Sequence, residues 1–219
     1  MKIFGKKIFA FTMAEVLVTI STIGVIAAIT IPTLQRHNTD TASIARARKL
    51  YSVLNQAYAR AQLQSGGFTK WNATTSTKLA EKFKPYLKLA LDCGTTQQCE
   101  MPTYKYLNGN VHNANYNSTG YYKMILEDGS FIWMRPSFSP AGKCQDTESG
   151  YANQSCGVIF FDTNSSKPPN IIGKDMFIFV ILEDSIVPNR MDDCYYNSTG
   201  WGCTYQVIFD GNMKYRKTK

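Results

Sequence analysis

Six cysteines are the most reactive side chains in this sequence, and their spacing decides between metal binding, catalysis and cross-linking. Cys93, Cys99, Cys144, Cys156, Cys194 and Cys203 form no C-x-x-C pair, and the only imidazoles are His37 and His112. A zinc site needs several such ligands at close spacing. Structural disulfides are therefore the expected use, and they require an oxidising compartment. The pairing expected is the one that closes only short loops, 93–99, 144–156 and 194–203; free buried thiols are the alternative. Catalytic patterns are missing: there is no G-x-S-x-G, H-E-x-x-H or P-loop, and no Cys and His placed as nucleophile and base. The chain is expected not to be an enzyme and to need no cofactor. The segment Asp162-Thr163-Asn164-Ser165-Ser166 gathers oxygen ligands, which makes Asp162 and Asn164 a calcium candidate. It lacks the distal bidentate Glu of a full calcium loop, and Asx-turn chemistry accounts for the same residues.

One acid stands where charge is costly. Residues 11–31, FTMAEVLVTISTIGVIAAITI, carry Glu15 as their single charge and are long enough to cross a hydrocarbon core of about 30 Å. A charge in such a helix costs roughly 2.5–3.5 kcal/mol on insertion scales and by default marks a function with a partner. A secretory signal peptide would end in an A-x-A-like site, whereas this run leaves through Thr30, Ile31, Pro32, Thr33 and Leu34. With no cysteine before Cys93, a lipoprotein is also excluded. Lys2, Lys6 and Lys7 precede the run and Arg36, Arg46, Arg48 and Lys49 follow it, so charge alone does not orient it. The cysteines do, because all of them lie beyond it and belong outside the cytoplasm. A cut between Ala10 and Phe11 would place a new α-amino group about one helical turn from Glu15, within reach also of Glu15 on a neighbouring copy.

Lys6-Lys7-Ile8-Phe9-Ala10 followed by Phe11-Thr12-Met13-Ala14-Glu15-Val16-Leu17-Val18 resembles the prepilin signal of type IV pilins and type II secretion pseudopilins. That signal has a basic leader, a small residue before the cut, Phe at the first mature position, Glu at the fifth, and a long apolar helix. Counting from Phe11, Pro32 is the twenty-second residue, where the family also keeps a proline. The match covers residues 6–34; Ala10 departs from the glycine usual before the cut. The resemblance implies that a prepilin peptidase removes residues 1–10 and N-methylates Phe11. It implies that Glu15, Gly24 and Pro32 serve assembly, the stretch from Gly24 to Pro32 loosening when subunits pack. It also implies a long helix on an antiparallel sheet, anchored in the inner membrane with an extracytoplasmic head, then drawn by a membrane assembly platform into a periplasmic or surface fibre of copies or homologous subunits. Some heads of this family bind calcium.

The rest of the chain must supply that helix with a stalk and a head. The sequence has 219 residues, 44% apolar and 18% charged, which suits one domain with an appendage and not a disordered chain. The net charge of +8 includes the three leader lysines and is too mild to predict a nucleic-acid partner. After Pro32, Ile44, Ala47, Tyr51, Leu54, Tyr58 and Ala61 recur at helical spacing, with Arg46, Arg48, Lys49 and Arg60 off that face. The stripe needs a sheet to lie on; a coiled-coil partner is the competing explanation. The helix is expected to end at Ser65-Gly66-Gly67. Lys78–Phe83 reads as a short helix before Pro85. Strands are expected at 121–126, 131–135, 157–162, 176–182 and 204–209, with a hairpin turn at 127–130 and a second hairpin running into residues 213–216. The expected fold class is α+β, a long N-terminal helix on an antiparallel sheet, divided into leader 1–10, membrane helix 11–32, stalk 33–65 and disulfide-containing head 66–219. The Asn- and Tyr-rich segment 104–122 reads as a surface loop, and the basic, aromatic tail as a solvated terminus. Two roles follow from different classes: a structural fibre subunit, or a minor pilin whose head binds a surface, a secreted substrate or DNA at the fibre tip.

Overall fold

The computed structural model describes residues 12–96, 98–137, 144, 151 and 154–216, without the side chains of residues 32, 33 and 35–38. The expected leader, the cut at Ala10 and Phe11 and the last tail residues lie outside the described residues. Two compact units divide between Thr39 and Asp40, and helix α1 (Met13–Ser65) contributes to both.

In the first unit, Met13–Ile31 has a mean hydropathy of 2.1 with none of it buried. Leu17, Val18, Ile20, Ile23, Val25, Ile26 and Ile29 are all exposed, so the segment is apolar on every side. Its hydroxyls are satisfied within the helix: Thr19 donates to Val16 O (2.9 Å), Ser21 to Leu17 O (2.7 Å), Thr22 to Val18 O (3.0 Å) and Thr30 to Ile26 O (2.9 Å). Such back-bonding lets Ser and Thr sit in an apolar medium without unpaired donors. The helix is continuous from Gly24 through Pro32.

In the second unit the rest of α1 carries the head's core on one face. Ala47, Leu50, Leu54, Ala57, Tyr58 and Ala61 are buried, with Ile44 and Tyr51 packed at the margin. The stripe is thus covered by the chain's own sheet, and Leu50 and Ala57 widen it beyond the spacing read from sequence. Polar residues at its edges tie it down: Arg48 Nε donates to Ile208 O (2.8 Å), Lys49 pairs with Asp128 (2.9 Å), and Tyr58 OH donates to Leu182 O (2.7 Å). The helix stops at Ser65 because Gly66 turns left-handed at φ 79°, a conformation that favours glycine. Helix α2 (Ser76–Phe83) is capped by Thr75, whose hydroxyl accepts from Lys78 N (3.3 Å), and buries Leu79, Ala80 and Phe83.

Six strands follow among the described residues: β1 (Leu89–Gly94), β2 (Tyr122–Leu126), β3 (Phe131–Pro136), β4 (Gly157–Asp162), β5 (Met176–Ile181) and β6 (Ile186–Pro188). They form one sheet in chain order, every pair antiparallel. Alternation sends Ile132, Met134, Ile159, Phe161, Phe177 and Phe179 to the α1 side and Phe131, Trp133, Val158, Phe160, Met176 and Ile178 to the other. Both faces are covered. The second is roofed by the segment expected to lie on the surface: Tyr104 and Tyr116 are buried, with Tyr104 stacked on Trp133 at 5.6 Å and Tyr116 edge-on to it at 5.2 Å.

The C-terminal expectation is corrected. Residues 204–209 form no strand; they belong to helix α3 (Cys203–Phe209), and residues 214–216 form a 3-10 turn instead of the second hairpin. Cys203, Thr204, Val207 and Ile208 are the buried positions, a helical and not an alternating spacing. The place beside β5 is already taken by β6. The Thr204 hydroxyl accepts from Ile178 N (2.9 Å), which pins α3 to β5.

Candidate functional site

The N-terminal site is assembled at the start of α1. Thr12 Oγ1 accepts from Glu15 N (3.3 Å), and Glu15 Oε2 accepts from both Thr12 N (2.9 Å) and Thr12 Oγ1 (2.9 Å). This reciprocal pair is a capping box, which satisfies donors that a helix start leaves open. Sequence reading missed it, although the T-x-x-E spacing of Thr12 and Glu15 is its signature. Glu15 Oε1 has no partner among the described residues. Ala10 and Phe11, the expected processing pair, lie outside them. Gly24 faces open space, with no atom within 4 Å of where a Cβ would stand. Pro32 lies within α1, its side chain outside the described residues. Within the chain nothing brings Glu15, Gly24 and Pro32 together; they are points along one helix.

Three disulfides staple the head, Cys93 to Cys99, Cys144 to Cys156 and Cys194 to Cys203, and no cysteine is free. Each closes a short loop, of sequence separation 6, 12 and 9. The first fastens the end of β1, and the last anchors the first residue of α3.

At the calcium candidate, Asp162 is fully buried, its Oδ2 accepting from Tyr104 OH (2.8 Å) and its Oδ1 from Asn164 N (2.9 Å). That is the Asx turn the sequence offered as the other explanation. Asp175, also buried, accepts from Asn170 N (2.9 Å) and Ile171 N (2.6 Å). Burial, followed by the charge of Asp175, pushes the Asp162 carboxyl up to about 8, and burial also raises Asp175. Asp162 therefore holds its proton at neutral pH in the ion-free head. Asn164 turns its amide to Pro168 O (3.4 Å). Among the described residues no group of three or more His, Cys, Asp or Glu could hold a metal ion. His112 sits between Tyr106 OH (2.7 Å) and Tyr116 OH (2.9 Å), and burial lowers its pKa. In the basic tail, Tyr215 is buried and Arg216 pairs with Asp40.

A family model described as a family of unknown function, DUF6613, matches residues 33–218. The chain belongs to that family. The span shared with DUF6613 begins just past Pro32 and takes in the stripe-bearing part of α1 and the head, while the apolar Met13–Ile31 segment precedes it. No curated protein and no solved structure matches the chain. The apolar helix fits a membrane anchor or a signal sequence, and the disulfides of this DUF6613 head fit an oxidising, extracytoplasmic compartment.

Proposed function

We propose that the chain is a structural subunit of a type II secretion pseudopilus or type IV pilus-like fibre. It is inserted by its apolar helix, clipped between Ala10 and Phe11, N-methylated at Phe11 and assembled through that helix. The carrying observation is an apolar helix exposed on every side whose one acid, Glu15, has one oxygen without a partner among the described residues at its first turn. In lipid that carboxylate is costly alone. Pairing with the α-ammonium of Phe11 on the next subunit offsets the cost, so the same group penalises the lone subunit and favours the ordered fibre.

Capping and charge are separable at this position. Gln serves a capping box as well as Glu but carries no charge. Glu15→Gln is expected to insert and to be clipped normally, yet to yield no fibres by electron microscopy of the native host; normal fibres would reject the pairing role. Mass spectrometry of the N-terminal peptide tests the reading as a whole. A methylated Phe11 supports it, and residues 1–10 still attached reject it.

A second reading, a minor subunit that binds at the fibre tip, is favoured by Tyr195 and Tyr196. These are 59% and 54% exposed on the loop clasped by Cys194–Cys203. Abundance relative to companion subunits, measured by quantitative proteomics, separates the two: a tip protein is scarce and a main subunit is in large excess.

A further inference from the structure

The roof over β3 and β4 contains a crevice between two arms of chain. His112 N donates to Tyr104 O (2.9 Å) and Tyr106 N to Asn110 O (2.9 Å), which closes residues 104–112 into a narrow hairpin. Beyond it the arms 101–103 and 113–117 part. Asn117 ties their far ends, its Oδ1 accepting from Met101 N (2.8 Å) and its Nδ2 donating to Met101 O (3.5 Å). The space they enclose is about 280 Å³, below the roughly 300–1,000 Å³ of a site for a drug-sized ligand, so it suits one small ring. Its lining is uncharged: the titratable members are Tyr116, whose pKa burial raises, and His112, which burial keeps neutral. Lys123, bonded to Asn117 O (3.4 Å), is fully buried, and Lys105, opposite Val111, is the exposed cation at the margin. Thr103, Asn113 and Ala114 are exposed, and among the described residues their backbone N–H groups and the Asn113 side chain have no hydrogen-bond partner.

The aromatic side of the crevice continues through a repeat. Tyr-Asn-Ser-Thr-Gly followed by an aromatic residue occurs at 116–121 and again at 196–201. Each copy folds into a turn, Ser118 N donating to Asn115 O (3.3 Å) and Ser198 N to Tyr195 O (3.2 Å). Tyr121 and Trp201, the closing residues, both meet Phe160 edge-on, at 5.9 and 6.4 Å. Trp201 also meets His112 edge-on at 5.1 Å, and Asn108 N donates to Ser198 O (3.0 Å), so both copies share one roof. Asp193, next to the second copy, is taken up by the Thr199 hydroxyl and by the N–H groups of Trp201 (3.2 Å) and Gly202 (2.6 Å).

We propose that the crevice binds an uncharged carbohydrate, one sugar ring seated between the arms. Sugar hydroxyls both donate and accept, which matches the Asn113 amide and the open N–H groups, while the C–H faces of the rings suit Tyr and Trp. Tyrosines that supply rigid amphipathic area, with Asn, Ser and Gly that supply adaptable hydrogen bonds, are the composition of antibody binding loops. An uncharged lining offers nothing to offset the desolvation of a phosphate or carboxylate. The proposal names the partner class for the tip-binding reading and rests on that reading for its place at the fibre tip.

The test uses the full-length chain in lipid nanodiscs, free of sugar-headed detergent. It is passed over dense arrays of neutral hexose and N-acetylhexosamine oligosaccharides, of acidic glycans and of extended peptides. A dense array is needed because one ring binds weakly and multivalency multiplies the retention. Retention on a neutral glycan is expected, and the same oligosaccharide in solution should slow hydrogen exchange in 101–103 and 113–117. Asn113→Ala should weaken retention about tenfold and Lys105→Ala less than about threefold. Both side chains are exposed, so an unchanged thermal unfolding midpoint shows the head intact. Retention on acidic glycans or peptides only, no retention at all, no response to Asn113→Ala, or an equal loss with Lys105→Ala overturns the site. Its failure is distinguishable from that of the tip reading. Neutral-glycan retention by a chain that keeps residues 1–10 in its native host upholds the site and rejects the fibre tip. A scarce chain with methylated Phe11 that retains no glycan upholds the tip reading and rejects the site.

Discussion

At Asp162 a single side chain carries more than its sequence reading gave. The Asx turn offered there is present, and full burial with Tyr104 and Asp175 close by raises its carboxyl to about 8. The consequence for stability has a definite sign. An aspartate raised to about 8 in the folded head binds a proton there that the unfolded chain gives up near pH 4, so the folded state loses stability as pH rises between those values. Thermal unfolding of the wild type should therefore fall from pH 5 to pH 8. Asp162→Asn, which imitates the protonated form, should flatten that slope, leaving the part due to Asp175. An unaltered slope would place the titrating proton elsewhere. At the same scale, the Thr12 and Glu15 pair is legible as a T-x-x-E spacing, and Glu15 has two uses at once, a cap for the start of α1 and a charge in an apolar segment.

Elements were legible where one period dominated. The stripe on α1 and the runs that became β2 to β5 carry strong helical or apolar signals, and they occur within a residue or two of where pattern puts them. Leu54, fully buried where α1 crosses the sheet, should report on that packing. Leu54→Ala is expected to lower unfolding free energy by about 3 kcal/mol in urea titrations, whereas Arg60→Ala, on the solvent side, should change it little. Strand β1 was not legible because its pattern is mostly exposed and its register slips twice against β2. Strand β6 is only three residues long. The segment that became α3 has aromatic and β-branched residues that favour strands in isolation. Its true state depends on the bond from Ile178 N to Thr204 and on the disulfide at Cys203, both non-local. Likewise the tyrosines near residues 104–121 looked solvated because their burial depends on Trp133 and Phe160, far along the chain.

For the whole molecule, the boundary that matters falls within α1 and not after it. The compact head begins at Asp40, and its core includes Ala47, Leu50, Leu54, Ala57, Tyr58 and Ala61. A polypeptide starting at Asp40 is expected to unfold in one cooperative thermal transition. One starting at Gly66 should bind a hydrophobic dye at low temperature and melt without a sharp midpoint, since a whole layer of its core is missing. Sequence placed the head's border at residue 66 because Gly66 and Gly67 mark the end of regular helix, and a helix end is easier to see in a sequence than the edge of a packed interior. The sheet has its own consequence for relatives of this chain. With both broad surfaces sealed inside, what the head touches must be met by hairpin tips, loop crests and the sides of its spine. A change of binding partner is therefore expected to appear as altered turns and loop lengths, while the strand interiors hold still.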